Sequence, residues 1–355
     1  MTPNDREQKV TALIDKLCLT RKLKRSEWIT IIRERTPAAA EHLFELARAV
    51  RIHHYGHDIY IRGLIEFTNY CRNDCYYCGI RKSNANALRY RLSKEDILTC
   101  CKEGYRLGFR TFVLQGGEDG WFTDERLCDI VSAIRAQFPD CAITLSVGER
   151  SYDSYKRLYD AGADRYLLRH ETYDEKHYSR LHPPQLSATH RKQCLWNLKK
   201  IGYQVGTGFM VGSPYQTPEN LADDMLFLAK LNPQMVGIGP FIPHHETPFA
   251  RMPGGTAELT VYMLGLIRLL LPRVLLPATT ALGTIAEDGR EKGILAGANV
   301  IMPNLSPAQV REKYLLYDNK LCTGDEAAES LNHLRERMEK IGYHIVVSRG
   351  DSLNI

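Results

Sequence analysis

The stretch Asp58-Ile-Tyr-Ile-Arg-Gly-Leu-Ile-Glu-Phe67, followed after Thr-Asn-Tyr by Cys71-Arg-Asn-Asp-Cys75-Tyr-Tyr-Cys78, decides how this chain is read. Its first part is rich in isoleucine and aromatics and reads as a largely buried β-strand. Its second part sets three cysteines at the spacing C-x3-C-x2-C, with Tyr77 just before the last. The thiols therefore lie in a loop at the carboxyl end of a strand, where the chain can fold back and aim them at one centre. Three thiolates closing so short a loop suit a metal cluster better than a disulfide. A structural zinc would need four ligands, and no second CxxC or neighbouring Cys/His pair completes such a set. A cubane iron–sulfur cluster on Cys71, Cys75 and Cys78 keeps one iron free for an outside ligand, which is a catalytic feature.

Downstream of this stretch, short apolar runs alternate with amphipathic helical patterns, the signature of βαβ units and a parallel sheet. Eight runs can be counted, at residues 59–67, 111–115, 142–147, 165–170, 204–210, 235–241, 274–280 and 298–303. Helical patterns lie between them, clearest at 93–107, 124–138, 187–201, 217–231 and 259–271. Ser93 with Asp96, and Thr217-Pro218-Glu219, are helix starts. Gly104, Gly108, Gly162, Gly202 and Gly297 fall where helices give way to strands. The expected fold is α/β, a (βα)8 TIM barrel, with a partial open barrel as the alternative. Upstream, residues 9–19, 26–36 and 37–55 read as helices, with Ser26 and Thr36-Pro37 as starts. The expected organisation is a helical layer over residues 1–57 packed on the barrel, the barrel itself over 58–322, and a helix and tail over 323–355.

A barrel places its chemistry at the carboxyl ends of its strands. The sequence clusters polar groups there: the cysteines, Gln115-Gly-Gly-Glu-Asp119, Ser146-Val-Gly-Glu149, Arg169-His-Glu-Thr172, Met210-Val-Gly212, Pro243-His-His-Glu246, Thr279-Thr280 and Met302-Pro-Asn304. Such groups are costly to bury unless a ligand or a network pairs them, so the barrel mouth should hold a polar cavity. Gly116-Gly117 allows close approach of a ligand to the backbone, its free N–H groups suiting a carboxylate or the amino-acid end of a cofactor, although such a pair also makes an ordinary turn. Strand alternation sets Arg165, Leu167 and Arg169 on one face. If that face is the lumen, two guanidiniums seek an anion or an acidic partner. Glu171 at the strand end can take an amino or ribose group, and Thr279 and Thr280 would offer hydroxyls to the same anion. His170, His244 and His245 show no ligand spacing and read as ordinary loop histidines. Met210 and Met302 read as barrel packing. No phosphate-cradle motif follows a strand.

Composition narrows the class further. Charged residues at 25% and apolar ones at 44% suit a globular protein, and the net charge of +5 is mild, with no footprint for nucleic acid. Residues 261–276 are apolar but are interrupted by Arg268, Pro272 and Arg273, so no membrane span is expected. The polar start Met-Thr-Pro-Asn-Asp-Arg-Glu is no signal peptide, which implies a cytoplasmic protein with reduced cysteines. Cys18, Cys100, Cys101, Cys128, Cys141, Cys194 and Cys322 are scattered and read as small core residues.

The motif Cys71-x3-Cys75-x2-Cys78 with Tyr77 resembles the signature of radical S-adenosylmethionine (SAM) enzymes. The runs EFTNYCRNDCYYCGIRKSN, RYLLRHET, VGIGPFIPHHETP, PATTALGT and GANVIMPN extend the resemblance over roughly residues 50–345 and make it similar to the HydE-type FeFe-hydrogenase maturases. The resemblance implies an enzyme with a 4Fe-4S cluster that reductively cleaves SAM to a 5′-deoxyadenosyl radical. It further implies attack on the sulfur of an iron–carbonyl–cyanide–cysteine precursor during hydrogenase H-cluster assembly. By matching motifs, Glu171 and Arg191 would hold SAM, with Tyr77, Gly116, Gly117, Glu118, Ser146, Met210 and Tyr314 around it. Gln115, Thr144, Arg165, Arg169, Thr279, Thr280, Met302 and Tyr317 would line the substrate cavity. Expected partners are a small organometallic or amino-acid-derived substrate, an electron donor and other hydrogenase maturases. Some relatives carry a second cluster on three cysteines near the carboxyl terminus; only Cys322 stands there in this chain, so no second cluster is expected. The rival readings are a methylornithine-synthase-like or biotin-synthase-like radical SAM enzyme and, from another class, a non-enzymatic iron–sulfur scaffold or electron carrier.

Overall fold

The computed structural model describes residues 3–321 and 328–354. Eleven strands are named in chain order: β1 (Asp58–Ile61), β2 (Gly63–Thr68), β3 (Thr111–Gly116), β4 (Ala142–Ser146), β5 (Arg165–Leu167), β6 (Gln204–Thr207), β7 (Met210–Val211), β8 (Met235–Val236), β9 (Gly239–Pro240), β10 (Val300–Ile301) and β11 (His344–Val346). Six of them form one sheet in the order β2-β3-β4-β5-β6-β8, all parallel. Single bridges then carry the ring around: Met235 to Leu275, Pro277 to Val300, and Asn304 back to Leu64. The barrel is therefore closed. Its seventh wall pairs through isolated residues, since Pro277 has no N–H to give a ladder. The expected first strand is split at Arg62, with β1 pairing β10 on one side and β11 on the other.

Local chemistry fixes the helices on the outside. Ser93, Thr123, Ser151, Asp174, Ser187, Thr217 and Thr256 each cap a helix by accepting the N–H three residues on, satisfying a donor the helix leaves open. The second helix begins one residue before Ser26: Glu27 accepts the Lys24 N–H at 2.7 Å, and that bond sets the start at Arg25. The amino-terminal helices Pro3–Thr20, Arg25–Arg33 and Pro37–Tyr55 pack over Pro218–Leu231 and Ala257–Leu270. That covering explains why residues 260–270 are buried on every side and apolar without crossing a membrane. Among the described residues no helix is long and apolar enough to do so. One contiguous apolar core runs from Val10 in the first helix to Tyr343 beside β11.

The chain end closes the amino-terminal opening of the barrel. Thr111 Oγ1 donates to the Arg349 carbonyl at 2.8 Å, Gln204 Nε2 to Asp351 at 2.9 Å and Gln234 Nε2 to the Asn354 carbonyl at 3.0 Å. With that end plugged, the carboxyl ends of the strands are the open mouth.

Candidate functional site

A cavity of about 360 Å³ opens at that mouth. The three cysteines lie on its wall, half-buried and unbridged. Their loop is held by the chain itself. Asp74 accepts two hydrogen bonds from Arg81 and two from Ser83, and Arg89 donates to the carbonyls of Asn69, Ile80, Arg81 and Asn84. The loop is then tied to its neighbours, Arg72 N–H to the Glu118 carbonyl, Tyr76 N–H to Leu181 and Gly79 N–H to Leu316. Burial pushes all three thiols up, Cys78 to about 12, and neighbouring thiolates push Cys75 and Cys78 further. Free thiolates are thus unfavourable there, whereas a metal would take the sulfurs as thiolates and release their protons.

Tyr77, beside the last cysteine, donates its hydroxyl to His182 Nε2 at 3.1 Å. His182 Nδ1–H is committed to the Tyr178 carbonyl at 3.0 Å, which leaves Nε2 as the acceptor. Burial holds this histidine neutral, its pKa lowered to about 3. His182 follows the short helix Glu175–Leu181, and the sequence reading singled out neither.

Glu171 lines the same cavity. Its φ is +65°, a left-handed backbone that a glutamate adopts only under constraint. The constraint is visible: its N–H donates to the Gly208 carbonyl at 3.1 Å, and the preceding His170 is locked between Thr207 and Asp224. Glu171 Oε2 is buried with no hydrogen bond, and Arg169 Nη2, 3.2 Å away, is likewise unaligned with any acceptor. Thr279 Oγ1 is a third such orphan on the same wall. Orphaned buried polar atoms around a cavity are what a ligand with matching groups would satisfy. Arg191 is aimed into this space by the Arg169 carbonyl (2.7 Å) and Glu149 Oε1 (2.9 Å).

Of the residues expected to hold cofactor, Tyr77, Gly116, Gly117, Glu118, Ser146, Glu171, Arg191, Met210 and Tyr314 all line the cavity. So do Gln115, Arg169, Thr279, Thr280, Met302 and Tyr317 from the expected substrate set. Thr144 and Arg165 do not. Thr144 sits one inward step below Ser146, beside Arg165 in register. Arg165 is fully buried, donating to Asp351 at 2.7 Å and to the Arg349 and Gly350 carbonyls. It is a fastening for the tail: its acid lies at the chain end, whereas Arg169 stands 3.2 Å from Glu171 at the mouth.

Two expectations about backbone and histidine also change. The Gly117 N–H is not free for a carboxylate, because it donates to the Thr68 carbonyl at 3.3 Å; the missing side chain instead makes room for Tyr70 and Cys71. His170 is buried, its ring nitrogens paired with Thr207 and Asp224, whereas His244 and His245 lie after β9. Of those, His244 Nδ1 accepts the Glu246 N–H, so its other nitrogen carries the proton and has no lone pair for a metal. Cys322 lies outside the described residues. The cavity wall also contains Glu66 and Lys320, an ion pair of 2.5 Å whose side chains are 1% and 6% exposed. The signal for Glu66 was present in the sequence: an acid in a run of isoleucine and aromatics. Lys320 gave none.

The pattern of the radical SAM superfamily matches residues 65–228. The chain is 44% identical over 302 residues to the FeFe-hydrogenase maturase subunit HydE of Thermotoga maritima, covering 85% of this chain and 86% of the relative. It is 28% identical to the 3-methylornithine synthase of Methanosarcina acetivorans, covering 85% and 84%. The crystal structure of methylornithine synthase superposes with a TM-score of 0.84 at 26% identity, covering 94% of this chain and 97% of that one. With the three-cysteine loop, the closed barrel and this likeness together, the chain belongs to the radical SAM superfamily and, within it, to the HydE family of FeFe-hydrogenase maturases.

Proposed function

We propose that this enzyme acts on an iron–carbonyl–cyanide–cysteine precursor in the assembly of the FeFe-hydrogenase active-site cluster. One observation carries the reading: a single cavity at the barrel mouth is lined by the three-cysteine loop and by Arg169, Glu171 and Thr279, each with a buried polar atom that makes no hydrogen bond. The 44% identity to HydE supports the choice of substrate class. A 4Fe-4S cluster with SAM bound would supply one-electron cleavage of the sulfonium C–S bond and a 5′-deoxyadenosyl radical.

Cys71, Cys75 and Cys78 would hold that cluster, and Glu171 and Arg191 the charged groups of SAM, complementing its ammonium and carboxylate by charge. Arg169, Thr279 and Thr280 offer donors to an anionic substrate. Gln115, Met302, Tyr314 and Tyr317 shape the space and keep water from a reactive radical. The reading includes one cluster per chain, since Cys322 is the lone cysteine beyond Cys194. It also includes an electron donor, other maturases as suppliers or receivers of the precursor, and a cytoplasmic site of action.

The test is direct. The protein, reconstituted anaerobically with iron and sulfide and reduced, receives SAM with the iron–carbonyl–cyanide–cysteine complex or with lysine. Faster 5′-deoxyadenosine formation with the complex is the expected result. Stimulation by lysine instead would favour a methylornithine-synthase-like reaction, and no cleavage with an EPR signal that ignores SAM would leave only a scaffold.

A further inference from the structure

The Glu66–Lys320 pair is the largest piece of buried chemistry in the cavity that the roles above do not use. Lys320 Nζ donates to Glu66 Oε1 at 2.5 Å and to the Tyr314 carbonyl oxygen at 3.0 Å. An ammonium carries three N–H groups, and those are the two acceptors it has among the described residues. Lys320 is part of the cavity wall, so the remaining N–H is available to whatever occupies the cavity. Glu66 is not free to move. Asn304 Nδ2 donates to its other oxygen at 2.9 Å, Ser306 Oγ accepts its backbone N–H at 2.8 Å, and the Tyr90 hydroxyl donates to its carbonyl at 2.6 Å. Lys320 is thereby held in place by Glu66, with one N–H beyond its two hydrogen bonds and the Tyr314 ring centroid 4.9 Å from its Nζ.

The loop that carries Lys320 also runs beside the threonines. Leu321 N–H reaches Thr284 Oγ1 at 3.5 Å, and the Thr284 hydroxyl donates at 3.0 Å to the carbonyl of Thr280, the residue after Thr279. Thr279 Oγ1 is buried without a partner. Lys320 and Thr279 therefore both line the cavity, each with a donor that no acceptor among the described residues takes. Two such donors suit a carboxylate, which has two oxygens to accept them; a metal-bound cyanide has a single terminal acceptor. If the pair were only structural, an apolar pair of the same volume would serve at least as well in so buried a place.

We propose that Lys320 is a substrate-binding residue that, with Thr279, grips the carboxylate of the substrate's amino-acid portion, with Glu66 as its positioning partner. The assignment rests on the function proposed above. The discriminating experiment compares the iron–carbonyl–cyanide complex of cysteine with that of cysteamine, which lacks only the carboxylate. Wild-type protein is expected to show a KM for the cysteine complex about 10- to 100-fold below that for the cysteamine complex, the range of a charge-assisted hydrogen bond. The double variant Glu66→Gln/Lys320→Met should lose this preference through KM rather than kcat, and Lys320→Arg should recover part of it. Iron content and the change that SAM induces in the EPR signal report that the cofactor site is intact in each variant.

Equal preference in the double variant and the wild type would overturn the role of Lys320 while leaving the substrate reading in place. Failure of the cysteine complex to stimulate wild-type cleavage would overturn both. Should the double variant not take up iron, Lys320→Arg and Lys320→Gln decide alone: an unchanged cysteine-to-cysteamine ratio in Lys320→Gln overturns the proposal.

Discussion

Replacing Gly117 by alanine tests how the barrel holds its cysteine loop. A Cβ on Gly117 would overlap the Tyr70 carbonyl oxygen and come to 2.8 Å from Cys71 Cβ. Carbons pack at about 3.5–4.0 Å, so Cys71 would have to retreat by about 1 Å. The loop cannot follow as a body, because the N–H groups of Arg72, Tyr76 and Gly79 anchor it to three separate segments at 2.9–3.0 Å. Overpacking of this kind costs about 1–3 kcal/mol, which a chain with so large a core can absorb. A displacement of about 1 Å in a reacting group costs about 100-fold in rate. The expected variant is therefore folded, with a far-UV spectrum like the wild type, but takes up less iron or cleaves SAM about 100-fold more slowly. The assay is single-turnover 5′-deoxyadenosine formation, normalised to iron, after reduction under anaerobic conditions. Gly120→Ala is the control, since nothing lies within 4 Å of a Cβ there. Full iron and wild-type cleavage in Gly117→Ala would refute the reasoning.

Glu171→Gln keeps the shape of a buried side chain but removes a charge whose Oε2 has no hydrogen bond. The KM for SAM should rise about 10- to 100-fold, while the urea midpoint falls only modestly, because the change also takes from the partly exposed Arg169 a carboxylate 3.2 Å away; a lower midpoint with unchanged KM would assign Glu171 to stability alone. Cys75→Ser should lose cluster and cleavage together and keep its far-UV spectrum, and retention of cubane absorbance would exclude this cysteine as a ligand. Asp351→Asn strips Arg165 of its buried partner. Burial pushes the Asp351 carboxyl up, but Arg165, with Gln204 and Arg349, holds it well below the usual carboxylate range. Its stabilisation is thus complete above the unfolded value near 3.9 and is lost as pH falls toward the lower folded value. Urea midpoints should show a deficit of about 2–3 kcal/mol at pH 7, reduced from the fully buried figure because Asp351 is 34% exposed, and the deficit should shrink below about pH 4. A deficit independent of pH would show that charge is not what Asp351 contributes.

Much of the architecture was legible because its signals are local. Parallel strands buried on both faces read as apolar runs, and capping residues such as Ser93 and Thr217 announce helices within a few positions. A three-cysteine loop after a strand is local too, and the barrel rule then places every other strand end around the same mouth. That rule failed for Arg165 and Thr144 because alternation fixes a face of a strand but not a depth. Both point inward, one layer too low, and at that level the chain end fills the barrel.

The order of strands and helices, the three-cysteine loop and the set of polar strand ends could be read from the chain alone, since each depends on residues within a turn or a loop of one another. Only the tertiary structure decided which charges answer each other. Arg165 meets Asp351 from 186 positions away and Glu66 meets Lys320 from 254. No periodicity encodes such pairings: they exist because closing the barrel brings distant chain into one low-dielectric interior, where a charge must find its opposite or a ligand.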